Sequence, residues 1–358
     1  MNVELLKTEI EQQRNLLNSD RLDLSFGEII SMYERGEIII KPAFQRYFRW
    51  NEEQRSRFIE SILLGIPIPP IFVAEDKEGV WELVDGLQRV STVLSFFGLL
   101  NSKDEGLREK NNWILTPGDR VASLEGFNYE TLPNSLRLNI KRSTCRVEIL
   151  RWNSNYDMRF ELFNRLNTGG SPLTPQEIRN CIYRDISSKF NDFLKDLSNE
   201  QVFKDLLDLS YEQYEQLYHE ELALRFISLY ENSGNVRVNI ASHMTEFMKT
   251  ALLNQNFDYD KYKKIFIDVF ELLSPLKRGI FRQKDGRFAT ALFDVITIGI
   301  AENFDYYKNK PSSIILDKIN NEVRKDSVLL KFSRKGGNNQ IVRIKNRIKE
   351  AKRIFGNG

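Results

Sequence analysis

Near residue 170 the chain changes character, across the turn-forming run Asn167-Thr168-Gly169-Gly170-Ser171-Pro172. Before it, from about residue 22 to 150, short β-type runs alternate with helical patterns, and most of the prolines lie there. After it, apolar residues recur at helical spacing almost without interruption. A chain built this way cannot carry one sheet-based layer throughout. The pattern predicts an α+β domain followed by an all-α helical bundle. The boundaries fall at 1–21 for an N-terminal helical arm, 22–170 for the α+β domain and 171–358 for the helical domain. A length of 358 residues agrees with two domains at roughly 150 residues each.

Residues 37–41 (Glu-Ile-Ile-Ile-Lys) read as a short buried strand. Asn51 then stands as an N-cap with Gln54 at the capping-box position. Phe58, Ile59, Ile62 and Leu63 fall on one face of that helix, and Gly65, Pro67, Pro69 and Pro70 end it. Residues 71–74 and 80–84 read as a hairpin turning at 76–79. A helix follows at 87–97, with Leu87, Val90, Val93, Leu94 and Phe97 inward and Gly98 as its stop. Beyond the break, Thr174, Pro175 and Glu177 make a capped helix start. Further helices are expected near 200–208, 212–232, 240–253, 259–273, 287–302, 313–325 and 340–355.

Composition removes several chemistries. Cys145 and Cys181 are too few for a disulfide scaffold or a cysteine-rich zinc site. His219 and His243 are the only histidines, which removes HNH nucleases, histidine-ligated zinc hydrolases and HD-type phosphohydrolases. Both stand in separate helical patterns and read as structural or exposed. Fifty-two basic residues against fifty acidic leave a net charge of +2, so any electrostatic partner must be read from local clusters. No run of 18 apolar residues and no apolar leader is present, and a cytoplasmic protein without membrane contact is expected.

Four clusters could carry chemistry. The first is Asp85-Gly86-Leu87-Gln88-Arg89-Val90-Ser91-Thr92, where a strand feeds a helix N-terminus. Free N–H groups and the positive dipole end favour an anion there. Gly86 lets a ligand approach the backbone, Arg89 can fork onto phosphate oxygens, and Ser91 and Thr92 add hydroxyls. Asp85 suits the N-cap, or a phosphate-bound Mg²⁺. The same residues also describe a capped helix after a hairpin and nothing more.

The second cluster, Phe44-Gln45-Arg46-Tyr47-Phe48-Arg49-Trp50, offers Gln45 and Arg46 to an anion and an aromatic to a base. Its bland counterpart has Phe44, Phe48 and Trp50 as core anchors and the arginines solvated. The third, residues 163–170, holds Asn164 and Asn167 in a turn that could form an anion nest or simply join two domains. The fourth is the basic stretch from Lys331 to Arg353, with Ile341, Ile344, Ile348, Ala351 and Phe355 as its apolar face. Arg343, Lys345, Arg347 and Lys349 are then left for DNA, or for solvent.

Taken in order, these motifs resemble the N-terminal domain family of the GmrSD modification-dependent restriction enzyme. The resemblance rests on Phe44-Gln45-Arg46 with Trp50, on Ser61 to Pro69, on Asp85-Gly86-Leu87-Gln88-Arg89 with Thr92, and on Phe163 through Glu177. It covers about residues 22–185 most specifically. Leu87 departs from the family's Asp-Gly-Gln-Gln-Arg hallmark. The histidine-dependent HNH nuclease domain usual in such enzymes has no counterpart, so a standalone module without that activity is expected.

The resemblance implies a ParB/sulfiredoxin-like fold and a nucleotide-responsive role in bacterial defence against foreign DNA. Nucleoside triphosphate, with Mg²⁺, is then the expected ligand, and a slow NTPase activity is expected from positioning alone. Asp85, Gln88 and Arg89 would act on the phosphates. Gln45, Arg46, Gly86, Ser91, Thr92, Asn164 and Asn167 would line the nucleotide pocket. DNA and a separate effector nuclease are the expected partners, and self-association is open. Two alternatives compete. One is a DNA- or partner-binding module that uses the basic C-terminal helix without catalysis. The other is a ParB-like nuclease holding a metal on Asp85 or Glu60.

Overall fold

The hairpin expected at 71–84 is present. β3 (Ile71–Glu75) and β4 (Trp81–Asp85) pair antiparallel, and Asp76 caps the turn by accepting from the N–H groups of Glu78 and Val80. The computed structural model describes residues 3–14, 19–40, 48–76, 78–100, 109–151, 174–183, 188–232, 236–276, 279–283, 285–325 and 341–356. The chain divides into two compact units, Met1–Pro172 and Leu173–Gly358.

Unit 1 is α+β. Its helices are α1 (Val3–Arg14), α2 (Phe26–Glu34), α3 (Glu52–Leu63), α4 (Leu87–Phe96) and α5 (Asn134–Arg142). Together with β1 (Ser19–Ser25), β2 (Ile38–Ile39) and β5 (Thr144–Leu150), the hairpin forms one five-stranded sheet in the order β1-β5-β3-β4-β2. β3 runs parallel to β5 and β2 parallel to β4, while β1 runs antiparallel to β5. Ile71, Val73, Val147 and Ile149 are fully buried on the central strands, as the two-residue side-chain period requires. Phe26, Ile29, Ile59, Leu94 and Ile140 supply the helical side of the same core.

β1 begins at Ser19, inside the segment expected to be a helical arm. Its sequence, Ser-Asp-Arg-Leu-Asp-Leu-Ser, is too polar to be read as a strand. Cross-strand charge explains the pairing. Arg21 faces Glu148 at 3.8 Å and Asp23 faces Arg146 at 3.2 Å, each a register pair with β5. Arg151 joins Asp20 and Glu75, both at 2.7 Å. A charged edge also discourages pairing with other chains.

A buried carboxylate organises the far side of unit 1. Glu60 on α3 is 3% exposed and accepts the N–H groups of Asp119, Arg120 and Val121 at 3.1, 2.8 and 2.7 Å. Gly118 makes this possible, since a Cβ there would stand 2.3 Å from the Glu60 Oε1. One turn earlier, Arg55 lies 4.5 Å over the Trp113 ring.

Unit 2 is helical throughout its described residues. It contains α6 (Pro175–Tyr183), α7 (Ser188–Asn199), α8 (Gln201–Leu207), α9 (Tyr211–Glu215), α10 (Tyr218–Glu231), α11 (Ile240–Leu253), α12 (Tyr259–Leu273), α13 (Thr290–Glu302), α14 (Phe304–Tyr307), α15 (Ser312–Lys318) and α16 (Ile341–Phe355). The helix expected at 212–232 is two helices. Leu217 adopts φ +56, and that left-handed residue breaks the run. The pattern expected at 313–325 is α15 followed by a π-turn at Ile319–Val323. No helix of the described residues is long and apolar enough to cross a membrane.

α10 and α13 are buried nearly all round, with Phe203, Phe226, Phe266, Phe270 and Phe293 clustered between them and α12. Inside this core lies a charged triad. Asp294 accepts from Arg225 at 2.5 and 2.7 Å and from Arg347 at 2.9 Å, with all three side chains 1–2% exposed. Removing the shared carboxylate would leave two guanidinium groups without it in low dielectric. Asp294→Ala should therefore cost about 3–5 kcal/mol of unfolding free energy. Urea unfolding monitored by circular dichroism checks this, and a midpoint equal to wild type would contradict the assignment.

Candidate functional site

The expected anion site lies where β4 ends and α4 begins. Asp85 is the last residue of β4, and Gly86 is the N-cap of α4 at φ +97, ψ +13. The glycine is required twice over. Its φ lies in the left-handed region, and a Cβ would come 2.5 Å from the Ile71 Cγ2. Val90 donates to the Gly86 carbonyl at 2.9 Å, which closes the first helical turn. No side chain of the described residues caps the helix, and Leu87, Gln88 and Arg89 are half-buried. An uncapped helix start is where backbone amides can meet an outside acceptor.

Asp85 is not the N-cap. Its Oδ2 instead accepts from the Arg89 Nη2 at 2.8 Å, across one helical turn. That pairing is the natural consequence of an i, i+4 spacing. The same Nη2 also donates to the Pro70 carbonyl at 3.1 Å, where the chain enters β3. Arg89 Nε is buried without a hydrogen-bond partner among the described residues, and the side chain is 18% exposed. The guanidinium expected to stand open is thus held on one edge by its own strand end.

Gln88 also differs from expectation. Its Oε1 accepts the N–H groups of Arg49 and Trp50 at 3.0 and 3.1 Å. The amide oxygen is committed to holding the approach to α3 and is not an acceptor for an attacking water. Asn51 and Gln54 form the expected capping box immediately downstream. Phe48 is buried and Trp50 contacts Phe58 at 5.6 Å, as core anchors. Ser91 and Thr92 are 1% and 0% exposed, with both hydroxyl oxygens buried and without a partner among the described residues. They point into the unit 1 core because they continue the face of Val90, Val93 and Leu94, and cannot line an open pocket.

Gln45 and Arg46 lie outside the described residues, as do Asn164 and Asn167. The site built here is therefore the β4–α4 junction alone.

Of the two carboxylates in the metal-nuclease alternative, Glu60 is committed to three backbone amides, while Asp85 pairs with Arg89. Among the described residues no group of three histidine, cysteine, aspartate or glutamate side chains could hold a metal. His243 is buried, and that burial pushes its imidazole below the ordinary value, with Nε2 3.2 Å from the Ser228 carbonyl. His219 is also buried, against Tyr214.

The basic C-terminal helix is less open than its sequence suggests. Arg347, expected at DNA, is 1% exposed and bound to Asp294. It lies one turn from Ile344 and Ala351, so it shares their buried face. Arg343 is half-buried, Lys352 pairs with Glu302 and Arg353 with Glu350. Of the four residues expected at DNA, Lys345 and Lys349 are exposed. In unit 2 a cleft of about 300 Å³ is lined by Thr174, Pro175, Gln213, Gln216, Tyr218 and Glu221, none of them a residue that the sequence places at a functional site.

The Gly86 geometry gives a direct test of the junction. Gly86→Ala should destabilise by about 1–3 kcal/mol for the backbone strain, plus the clash with Ile71. Gly36, at φ +76 with nothing within 4 Å of its Cβ position, isolates the strain alone. Thermal melts should show Gly86→Ala well below Gly36→Ala. Equal melting temperatures would refute the close approach of Ile71.

Residues 26–184 match the family model described as GmrSD restriction endonuclease, N-terminal domain. The match takes in unit 1 from α2 onward and reaches past α6, and it covers less than half of the chain. No curated protein and no solved structure matches the chain.

Proposed function

We propose, from the match of residues 26–184 to the GmrSD restriction endonuclease N-terminal domain model, that the chain has a role in restriction of foreign DNA and acts there as a nucleotide-binding regulator. Phosphate would dock on the first turn of α4. The observation that carries this reading is the uncapped start of that helix, on a left-handed glycine, with a guanidinium one turn in. Backbone amides and the dipole end favour an anion at such a place. Arg89 supplies the charge once its pairing with Asp85 relaxes.

That pairing shapes the expected ligand. A bare phosphate meets a carboxylate beside the cation it needs. A phosphate carrying Mg²⁺ gives Asp85 a new partner and releases Arg89 to the oxygens. One protein carboxylate with substrate phosphates is an ordinary arrangement for Mg²⁺. Bound there, the ion would offset phosphate charge. Gly86 keeps the backbone close enough for contact, and Gln88 keeps the neighbouring segment in place. Hydrolysis, if it accompanies binding, would rest on positioning and be slow. A ParB/sulfiredoxin-like architecture for unit 1 and a cytoplasmic setting belong to the same reading, as does a separate effector nuclease.

Calorimetric titration with nucleoside triphosphate and Mg²⁺ tests it. Arg89→Ala should weaken binding about tenfold or more, with the fold verified by circular dichroism. Asp85→Asn should bind Mg²⁺-free nucleotide more tightly than wild type does. Absence of binding by wild type, or unchanged binding by a folded Arg89→Ala, would defeat the proposal.

A further inference from the structure

We propose that α5 of unit 1 presents a phosphate-contacting surface for duplex DNA, formed by Arg137, Lys141 and Arg142. The helix reads Asn-Ser-Leu-Arg-Leu-Asn-Ile-Lys-Arg and carries no acidic residue. Arg137 and Lys141 are one turn apart and share a face. The Arg137 guanidinium stands 5.5 Å over the Tyr129 ring, and the Lys141 ammonium 5.7 Å from the Phe97 ring. The two rings contact each other at 4.2 Å with an interplanar angle of 32°. Two cations are thus steadied side by side on one aromatic pair.

None of the three is answered by a carboxylate among the described residues. Among the described residues Arg137 makes no ion pair, and its Nε is buried without a hydrogen-bond partner. Lys141 and Arg142 are exposed and likewise unpaired among the described residues. Five other arginines of the unit behave differently, since Arg21, Arg35, Arg57, Arg146 and Arg151 each meet an acid. The helix dipole accounts for cations in the last turn, where Lys141 and Arg142 stand. It does not account for Arg137, which is nearer the positive end.

The surface offers charge without an apolar anchor. Phe97 is buried beneath it, and α5 has no large hydrophobic residue among the exposed ones. Protein interfaces need a desolvated apolar or aromatic centre. Contact with a phosphodiester backbone needs only positioned donors and charge. Guanidinium and ammonium groups steadied by rings also lose less freedom when an anion arrives. The chemistry favours the polyanion over an acidic protein, independently of whether nucleotide binds at α4.

Fluorescence anisotropy of the full chain with a short labelled duplex, over a salt series and without nucleotide, decides the matter. Wild type should bind with affinity falling linearly against salt on logarithmic axes. The double variant Lys141→Gln/Arg142→Gln should bind severalfold or more weakly, and its slope should shrink by about 0.9 for each phosphate no longer neutralised. Both side chains are exposed, so folding should survive. Arg137→Gln, verified as folded by circular dichroism, should weaken binding further. Lys345→Gln/Lys349→Gln should leave binding unchanged. The proposal is overturned by absence of duplex binding in wild type, by a wild-type slope and affinity in the double variant, or by weakening that follows Lys345 and Lys349 instead. Equal affinity for polyglutamate would overturn the assignment to nucleic acid.

Discussion

Charge taken out of water must be answered inside the fold, and in both units one carboxylate does the answering. Glu60 draws the 118–121 turn onto α3 through three amide N–H groups. Asp294 ties α10 and α16 to α13 through two guanidinium groups. Neither arrangement is a cheap way to stabilise a core, because desolvation cancels much of the Coulombic gain. What each supplies is a unique register. An apolar pair could slide by a fraction of a turn, whereas a carboxylate with its acceptor sites filled cannot. Arg347 still keeps its Nε and Nη2 buried without partners, so the triad is only partly satisfied at the α16 end. Removing one partner there should be felt chiefly through the charges left behind.

The same principle governs the β4–α4 junction, with a smaller degree of burial. Asp85 and Arg89 are 39% and 18% exposed, so their pairing is screened and exchangeable in a way that the Asp294 triad is not. A site that is neutral at rest does not attract small anions indiscriminately. It responds to a ligand that satisfies both members at once. On the proposed reading this is a physical reason for an acid to sit beside the cation, and the ion pair replaces the capping role that spacing alone suggested.

Legibility in the sequence followed the strength of local signals. The capping boxes at Asn51–Gln54 and Thr174–Glu177 were readable, because side-chain and backbone partners lie three residues apart. The hairpin and α4 were readable from period and turn chemistry. β1 was not, since its pairing rests on charges of β5 more than a hundred residues away. α5 was not, since its sequence is short and polar and its helical start follows Pro133 without a side-chain cap. Within the candidate site, the glycine turn at the helix start was legible, while the partners of Asp85 and Gln88 were not. Local spacing shows that Asp85 can reach Arg89, but it cannot choose between a cap and an ion pair. The choice is set by Pro70, whose carbonyl accepts from the same guanidinium where the chain enters β3. Gln88 likewise serves a segment almost forty positions upstream.

A count of basic residues along a helix misjudges how much charge a helix presents. The C-terminal helix holds the denser run, yet Arg347 is consumed by Asp294, Lys352 by Glu302 and Arg353 by Glu350. α5 holds fewer cations, and its three have no acid to meet among the described residues. A polyanion senses the uncompensated charge at the surface, within a Debye length of about 8 Å at physiological salt. By that measure the sparser helix is the stronger electrostatic feature. Two of its cations also rest on rings that are themselves fixed by the core. Charge so held is better suited to gripping a backbone than to reading a base. Any choice of target sequence or modification must then come from elsewhere than α5.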